Sequence, residues 1–212
     1  MLLVALTGGI ATGKSIVAQV LEQLGCYTHQ ADTLAHELQA PGMPAWKALV
    51  SHFGEKILNQ DKTINRLALG AIVFADTRER EFLNNLIHPM VMAKKREIIE
   101  KIGQEGRYKI FVSVAALTIE AGYIKFFDKI IVAHCDKETQ LKRLMERDDI
   151  DRKKALEKID SQMPREKKLD FADYVIDTSG SLQQTLEQAE KVYRNLIIDS
   201  ELKSLEEKKA KK

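Results

Sequence analysis

A glycine-rich segment near the start of this 212-residue chain constrains its fold more than any other feature. Residues 8–15 read GGIATGKS and satisfy the pattern G-x-x-x-x-G-K-[ST]. An apolar run at residues 2–7 precedes the segment, and residues 16–24 after it carry apolar side chains at helical spacing. The order of strand, glycine loop and helix predicts a phosphate-binding loop. The alternative is a glycine turn that carries Lys-Ser by chance.

The loop residues have the properties that binding of a polyanionic triphosphate requires. Many backbone N–H groups must come within hydrogen-bonding distance of the phosphates, and Gly8 and Gly13 permit that approach. The helix that follows adds the positive end of its dipole. We expect Lys14 to reach the β- and γ-phosphates of ATP, and the Ser15 hydroxyl to ligate Mg²⁺.

Strand and helix signals alternate along the chain, which is typical of a parallel sheet covered by helices. Apolar runs predict five strands, at residues 2–7, 26–29, 109–115, 129–134 and 174–177. Residues 110–117 are almost continuously apolar rather than alternating, which favours a strand buried on both faces. We therefore predict a three-layer α/β fold around a parallel sheet.

About eighty residues between the second and third predicted strands read almost entirely as helix, more than a simple crossover needs. We expect an inserted helical subdomain at about residues 36–106, punctuated at Pro89 among other places. A stretch at about residues 137–170 has a charged, poorly apolar second part, which favours a solvated lid. The core would comprise about residues 1–35, 107–136 and 171–200. A helix is expected over 182–205, a basic tail at 201–212, and a frayed end after residue 205.

Composition excludes several functional classes. Lysine and arginine number 33 against 31 acidic residues, and five lysines and three glutamates lie in residues 201–212, which leaves 28 of each sign elsewhere. A neutral body gives no sign of a partner nucleic acid or anionic membrane. Cys26 and Cys135, 109 residues apart in apolar stretches, fit buried thiols better than a disulfide or metal site. Without a membrane-length apolar run or a basic leader, we expect a cytoplasmic protein.

Asp32 is the candidate catalytic carboxylate. It lies 17 residues beyond Ser15, just past the second predicted strand, and the chain lacks the Asn-Lys-x-Asp signature of GTPases. We expect the second strand to lie beside the first, so that Asp32, just past the C-terminal end of that strand, lies next to the loop. There it would accept a proton from an attacking hydroxyl or hold Mg²⁺ through water. The alternative is that Asp32 caps a helix that starts near Thr33.

Arg143 and Arg147 form a second candidate cluster. They are four residues apart in a predicted helix at 136–148, so they project from one helix face. Two guanidinium groups would neutralise the charge of a transferring phosphoryl group. An arginine pair on a charged helix is also typical of plain surface. The position of this helix, after the fourth strand and at the start of the predicted lid, favours a functional role.

An ordered series of further residues makes the chain resemble the dephospho-coenzyme A kinase family from about residue 3 to residue 200. Besides the loop, the series comprises Ala31-Asp32, Ala35-His36, Pro41-Gly42, His52-Phe53-Gly54, Arg66 with Leu69-Gly70, Val73-Phe74, His88-Pro89, Glu120, Gln140-Leu141, Arg143-Leu144, Arg147-Asp148, Gln162-Met163-Pro164 and Ala172-Asp173 with Val175-Ile176-Asp177. The resemblance implies a P-loop kinase with a helical substrate insertion and a lid. It also implies transfer of the ATP γ-phosphoryl group to the 3′-hydroxyl of dephospho-CoA, with Mg²⁺.

The resemblance assigns roles to individual positions. It implies ATP binding by the loop, with Ala11 to Ile16 as its core, and catalysis by Lys14, Asp32 and Arg147. The whole set expected at ATP is Gly8, Gly9, Ile10, Ala11, Thr12, Gly13, Lys14, Ser15, Ile16 and Arg143, with Ser15 and Asp32 at the metal. Arg66 and His88 match positions of the insertion that help to receive dephospho-CoA. For His88 the alternative is a helix-start residue that satisfies local backbone groups.

The chain also departs from the family pattern. In the loop, Ala11 replaces the usual glycine and Ile16 replaces the usual threonine. Gln30 replaces the first Asp of an Asp-Ala-Asp triplet, and Thr178 replaces the usual asparagine. Residues 115–118 stand where a Pro-Leu-Leu segment is common. Two alternatives stay open. A related nucleoside or nucleotide kinase would share the loop, Asp32 and a lid, and the changes at Gln30, Ala116 and Thr118 permit a non-catalytic module that binds nucleotide or CoA.

Overall fold

The computed structural model describes residues 1–210, apart from the side chains of Asp32 and Phe74. The chain divides into two compact units. The first comprises Met1–Gln30 together with the chain from Glu105 onward, and the second comprises Ala31–Gln104. Each unit is described by itself below.

Strands and helices follow one another in the order expected of an α/β protein. In chain order they are β1 (Leu2–Thr7), α1 (Lys14–Gln23), β2 (Tyr27–Gln30), α2 (Ala31–Leu38), α3 (Pro44–Phe53), α4 (Arg66–Ala75), α5 (Thr77–Glu105), β3 (Ile110–Val114), β4 (Lys129–His134), α6 (Lys137–Asp148), α7 (Arg152–Asp160), α8 (Arg165–Leu169), β5 (Tyr174–Asp177) and α9 (Leu182–Ala210). Short 3₁₀ turns lie at Glu55–Ile57 and Ile124–Phe126. The five predicted strands and the α/β class are confirmed.

The five strands form one parallel sheet in the order β2-β3-β1-β4-β5. The prediction that β2 lies beside β1 is wrong, because β3 pairs with both and separates them. β3 is buried at every position, as its continuous apolar pattern predicts. A strand with two buried faces is stabilised most in the centre of a sheet, and this displaces the short, half-buried β2 to the edge.

Apolar side chains cover both faces of the sheet. On one face, α1 and α9 pack on alternate residues of β1 and β3, with Val17, Leu21 and Leu196 fully buried. A second apolar cluster, which includes Ala5, Ile130 and Val132, covers the other face. Burial of each such aliphatic side chain stabilises the fold by about 1.5–3 kcal/mol. The C-terminal end of β1, which carries the glycine loop, is therefore held in place by packing on both faces of the sheet. Cys26 and Cys135 are buried free thiols, as predicted.

The segment from Asp149 to Lys168 is less solvated than its composition predicts. It forms the separate helices α7 and α8, and Ala155 of α7 packs against Leu141 and Leu144 of α6. The Lys168 side chain is only 1% exposed, because its ammonium group has an acidic partner within the protein.

The unit from Ala31 to Gln104 consists of α2 to α5 around an apolar cluster that includes Leu49, Phe53 and Ile57. Helix α5 runs without a break through Pro89, so the predicted interruption there is wrong. Proline removes one helical hydrogen bond and costs about 3 kcal/mol in a helix interior. Burial of Ile87 and Met92 on either side offsets that cost.

Helix α9 extends five residues beyond the predicted end and includes most of the segment that we expected to be frayed. Lys208 and Lys209 lie in its last turn, where positive charge interacts favourably with the helix dipole. Further back, Lys203 Nζ lies 2.6 Å from Asp128 Oδ2 and ties the helix to the sheet. Within the described residues, no helix combines the length and the apolar character needed to cross a membrane.

Candidate active site

The glycine loop connects β1 to α1, where the sequence predicts a phosphate-binding loop. Gly8 has a φ of 146°, and a Cβ at this position would overlap the Ala133 carbonyl oxygen of the neighbouring strand β4. Gly13 precedes α1 with a φ of 79°, and its Cβ would lie 3.1 Å from Thr178 Oγ1. Both positions therefore require glycine for the loop to turn tightly against the sheet.

The loop is braced by its own side chains. Thr12 Oγ1 donates to the Gly9 carbonyl oxygen at 2.9 Å. The Lys14 ammonium group donates to the carbonyl oxygens of Gly8 and Gly9 at 3.1 and 2.7 Å. Lys14 is thus held over the loop, where a phosphate oxygen would be a stronger partner than a neutral carbonyl.

The N-terminal end of α1 is suited to a bound anion. No side chain caps this end, and its first turn contains no acidic residue. The Ser15 and Ile16 side chains are exposed there, next to Lys14. Backbone N–H groups and the helix dipole at such an end favour negative charge.

Ala11 departs from the glycine of the family pattern and keeps the backbone conformation that glycine allows. Its φ is 58°, in the left-handed region that costs an alanine about 1–2 kcal/mol. The Ala11 methyl packs, together with Ile10, against the cluster of Leu141, Leu144 and Ala155. This apolar contact with α6 and α7 offsets part of the strain.

Arg143 is tied to the phosphate loop through Thr178. Its guanidinium group donates to Thr178 Oγ1 at 3.1 Å and to the Thr178 carbonyl oxygen at 2.8 Å. Thr178 Oγ1 donates in turn to the Thr12 carbonyl oxygen at 3.0 Å and lies 3.1 Å from that of His134. The loop after β5 is therefore fastened to the phosphate loop. From the sequence, Thr178 was only a departure from the family pattern.

Arg147 is not brought to the loop in this arrangement. Its side chain is 55% exposed, and its Nε donates to Asp148 Oδ1 at 2.8 Å. Lys158 Nζ lies 2.7 Å from the other oxygen of the same carboxylate. The hydrogen bond from Arg147 and that from Lys158 lower the pKa of Asp148 to about 2.

The other predicted site residues lie in the helical unit. The Asp32 side chain lies outside the described part of the chain. The backbone of Asp32 is in the first turn of α2, which begins at Ala31. Burial lowers the pKa values of Arg66 and of the His88 imidazole, which disfavours the charged form of each side chain. Lys95, two turns beyond His88 on α5, is 5% exposed, and burial lowers its pKa to about 8. Sequence reasoning missed Lys95, because nothing in a pattern of helical spacing distinguishes a buried lysine.

Two glutamine side chains contact the phosphate loop from α6 and from the segment after α7. Gln140 Nε2 donates to the Ile10 carbonyl oxygen at 2.8 Å, and Gln162 Oε1 accepts the Ile10 N–H at 2.8 Å. Both glutamines line a cavity of about 320 Å³ together with Gly9 and Thr12. In the sequence these glutamines were parts of a family pattern without a role.

A loop of this shape at the end of β1, in a five-stranded parallel sheet flanked by helices, defines a P-loop kinase fold. The sequence profile described as dephospho-CoA kinase matches residues 2–184. The chain therefore belongs to the dephospho-CoA kinase family.

Individual relatives agree with the family profile. A dephospho-CoA kinase of Halalkalibacterium halodurans is 41% identical over 187 residues, 88% of this chain and 92% of that protein. One from Geobacter metallireducens is 42% identical over 197 residues, 93% of this chain and 98% of that protein. The solved structure of dephospho-CoA kinase from Campylobacter jejuni is 31% identical, with a TM-score of 0.67 over 92% of this chain and 96% of that one.

Proposed function

We propose that the chain transfers the γ-phosphoryl group of ATP to the 3′-hydroxyl of dephospho-CoA and releases CoA and ADP, the final step of coenzyme A synthesis. The family membership supports the reaction. The observation that carries it to this molecule is the loop itself: Gly8, Gly13 and Lys14 have the backbone and contacts that bring N–H groups and an ammonium group to a triphosphate. A cytoplasmic location would fit a reaction between two dissolved substrates.

Lys14 would leave the Gly8 and Gly9 carbonyl oxygens for the β- and γ-phosphates. The exchange is favourable, since hydrogen bonds to an ionised acceptor are about twice as strong as those to a neutral one. Arg143 would lie at the nucleotide because it is fixed beside Thr12 through Thr178. Arg147 would reach the phosphates only after its guanidinium group leaves Asp148.

The residues present fit a magnesium ion that arrives with the nucleotide. Among the described residues, no group of three or more His, Cys, Asp or Glu side chains could hold a metal ion without help. The exposed Ser15 hydroxyl in the first turn of α1 would contribute one oxygen, and Asp32 would contribute through water. Magnesium bound there would offset charge on the transferred phosphoryl group.

Asp32 is the proposed acceptor for the proton of the attacking hydroxyl. As the 3′-oxygen forms its bond to the γ-phosphorus, the bond from that phosphorus to the bridging oxygen of ADP breaks. The hydroxyl proton passes to the carboxylate, which lowers the barrier for an alcohol of high pKa. Arg66 and His88 would contact dephospho-CoA. Since burial disfavours the charged form of His88, we expect it to act there by hydrogen bonding rather than by charge.

The proposal is tested by incubating the pure protein with magnesium, ATP and dephospho-CoA and measuring CoA and ADP by mass. We expect CoA and ADP in equal amounts, and no turnover from Lys14→Ala. Lys101→Ala, on the exposed side of α5, is the matched control and should retain activity. No turnover by the unmodified chain above the level of Lys14→Ala would refute the assignment.

A panel of acceptors separates the proposed function from the alternatives. A nucleoside or nucleotide kinase would phosphorylate nucleosides or nucleoside monophosphates faster than dephospho-CoA. A non-catalytic module would bind ATP or CoA in a calorimeter and transfer nothing. We expect dephospho-CoA to be the preferred acceptor, because the family profile spans both units of the chain.

A further inference from the structure

Both backbone hydrogen-bonding groups of Ile10 are occupied by side chains from outside the phosphate loop. Gln140 of α6 donates to its carbonyl oxygen, and Gln162 accepts from its N–H, each at 2.8 Å. A carboxamide that donates and another that accepts fix the orientation of the two peptide units that meet at Ile10. The Ile10 side chain adds an apolar contact with the cluster of Leu141 and Leu144.

Gly9 is explained by the same contacts. The loop pattern leaves position 9 open, and the backbone of Gly9 is not in the left-handed region that favours glycine. A Cβ there would lie 2.8 Å from Gln140 Nε2 and 3.7 Å from Gln162 Oε1. The space that a side chain at position 9 would fill is therefore taken mainly by the Gln140 carboxamide, with Thr12 Cγ2 at 3.3 Å and Gln162 at an ordinary contact distance.

The segment that carries Gln162 is anchored by an ion pair in which the lysine is buried and the glutamate is partly exposed. Lys168 Nζ lies 2.6 Å from Glu120 Oε1, and the same oxygen accepts the N–H of Met163, the residue after Gln162, at 3.2 Å. Lys168 Nζ also donates to the Ala116 carbonyl oxygen at 2.8 Å. Burial of an ammonium group is tolerated only with such partners, so this segment has one favoured position.

The anchor is joined to the base of the phosphate loop. The Ala116 carbonyl oxygen that accepts from Lys168 also accepts from Thr7 Oγ1 at 3.2 Å. Thr7 is the last residue of β1, immediately before Gly8. The base of the loop and Ile10 are thus held from the same segment, residues 162–168.

We propose that Gln162 and Gln140 are positioning residues that hold the phosphate loop in its nucleotide-binding shape, and that the Lys168–Glu120 pair anchors Gln162. Ile10 belongs to the wider set expected at ATP but precedes its core, Ala11 to Ile16, so Gln162 occupies an N–H next to that core and not within it. This placement favours support of the loop over competition with the phosphates. The inference rests on the proposed function only for its choice of nucleotide.

The test compares Gln162→Leu, Gln162→Glu and the unmodified full-length chain. Leucine removes the acceptor at similar volume, whereas glutamate keeps an oxygen that accepts the Ile10 N–H. The readouts are amide hydrogen exchange at Ile10 by NMR and calorimetric affinity for a non-hydrolysable ATP analogue with magnesium. Gln183→Leu, on the exposed side of α9, is the matched control.

For Gln162→Leu we expect exchange at Ile10 to be faster by about tenfold or more, and affinity for the analogue to fall roughly 3- to 10-fold, the scale of one lost hydrogen bond. Gln162→Glu should restore slow exchange at Ile10. Gly9→Ala should weaken affinity by displacing Gln140, and its effect should shrink in a Gln140→Ala background.

Equal or tighter binding of the analogue by Gln162→Leu would overturn the proposal and make Gln162 a competitor of the nucleotide. Unchanged exchange at Ile10, or a fall in melting temperature with exchange and affinity intact, would overturn it as well. None of these readouts requires turnover. A chain that binds the analogue but forms no CoA would therefore refute the proposed function and leave this inference standing.

Discussion

At the scale of single residues, Gly8 lies where the backbone of another strand leaves no room for a side chain. Its Cβ would overlap the Ala133 carbonyl oxygen, which belongs to a fully buried residue of β4 and cannot move aside. We expect Gly8→Ala to lower the free energy of unfolding by at least about 3 kcal/mol, from overpacking added to backbone strain. Urea unfolding measures this free energy.

The control for Gly8→Ala is Gly122→Ala. Gly122 also has a positive φ, 75°, but a Cβ there would meet nothing within 4 Å. Only backbone strain remains, so we expect a loss of about 1 kcal/mol. Equal losses for the two variants would show that the contact with Ala133 contributes nothing.

Asp32→Asn tests the proposed general base. Asparagine cannot take up the hydroxyl proton, so we expect kcat to fall by roughly 10²-fold or more while ATP binding stays nearly intact. Initial rates of CoA formation and calorimetric binding of an ATP analogue measure the two effects. Full activity with a lower melting temperature would mean that Asp32 only stabilises the start of α2.

Single residues also mark the limit of prediction from the sequence. The shape of the loop followed from GGIATGKS, because Gly8, Gly13 and Lys14 are defined by a local pattern. The contacts of Thr178 and Gln162 join residues more than 150 positions apart. Such contacts depend on how α6 to α9 pack, which no local pattern specifies.

At the scale of elements, local patterns in the sequence predicted which strands and helices exist better than they predicted how these elements are arranged. All five strands were predicted, but the predicted neighbour of β2 was wrong. Strand order depends on which strand is stabilised most by burial of both its faces, and the local pattern around β2 does not specify this. The continuity of α5 through Pro89 was missed for a similar reason. Local propensity favours a break at proline, and packing of the flanking residues outweighs it.

The connection between α6 and α7 predicts a dependence of stability on pH. Arg147 and Lys158 lower the pKa of Asp148 to about 2, below the value of about 4 of an unfolded aspartate. A lowered folded-state pKa stabilises the protein above about pH 4, and this contribution is lost as the pH falls from about 4 to about 2. We expect Asp148→Asn to be less stable than the unmodified chain at pH 7, with a difference that shrinks below pH 4.

Urea midpoints at several pH values between 7 and 2.5 measure this difference. Asp160→Asn is the matched control, since its carboxylate is 66% exposed and lies 3.9 Å from Lys137 Nζ. That exposed pair should contribute little at any pH. A difference between Asp148→Asn and the unmodified chain that stays constant from pH 4 downward would contradict the assigned pKa.

At the scale of the whole molecule, the net charge of +2 conceals local charge. The positive groups expected at the nucleotide, such as Lys14 and Arg143, are balanced by acidic side chains elsewhere in residues 1–200, which carry no net charge. The excess lies in residues 201–212, and the structure divides that segment into two parts. Lys203 contacts Asp128 and the Met1 carbonyl oxygen, whereas the side chains from Leu205 to Ala210 are exposed.

Two truncations separate these parts. Removal of residues 205–212 should leave kcat and the melting temperature nearly unchanged. Removal of residues 201–212 should also leave kcat nearly unchanged. Asp128 immediately precedes β4 and Lys203 lies far along α9, whereas the phosphate loop follows the opposite, C-terminal end of β1. This longer truncation should nevertheless lower stability by about 1 kcal/mol, since it removes a half-buried ion pair and one more helical turn than the shorter truncation does. For a chain of this length that loss is a fall in melting temperature of about 2–4 °C. Calorimetric melting and initial rates of CoA formation measure both effects, and a large loss of kcat from either truncation would mean that the tail contacts the active site.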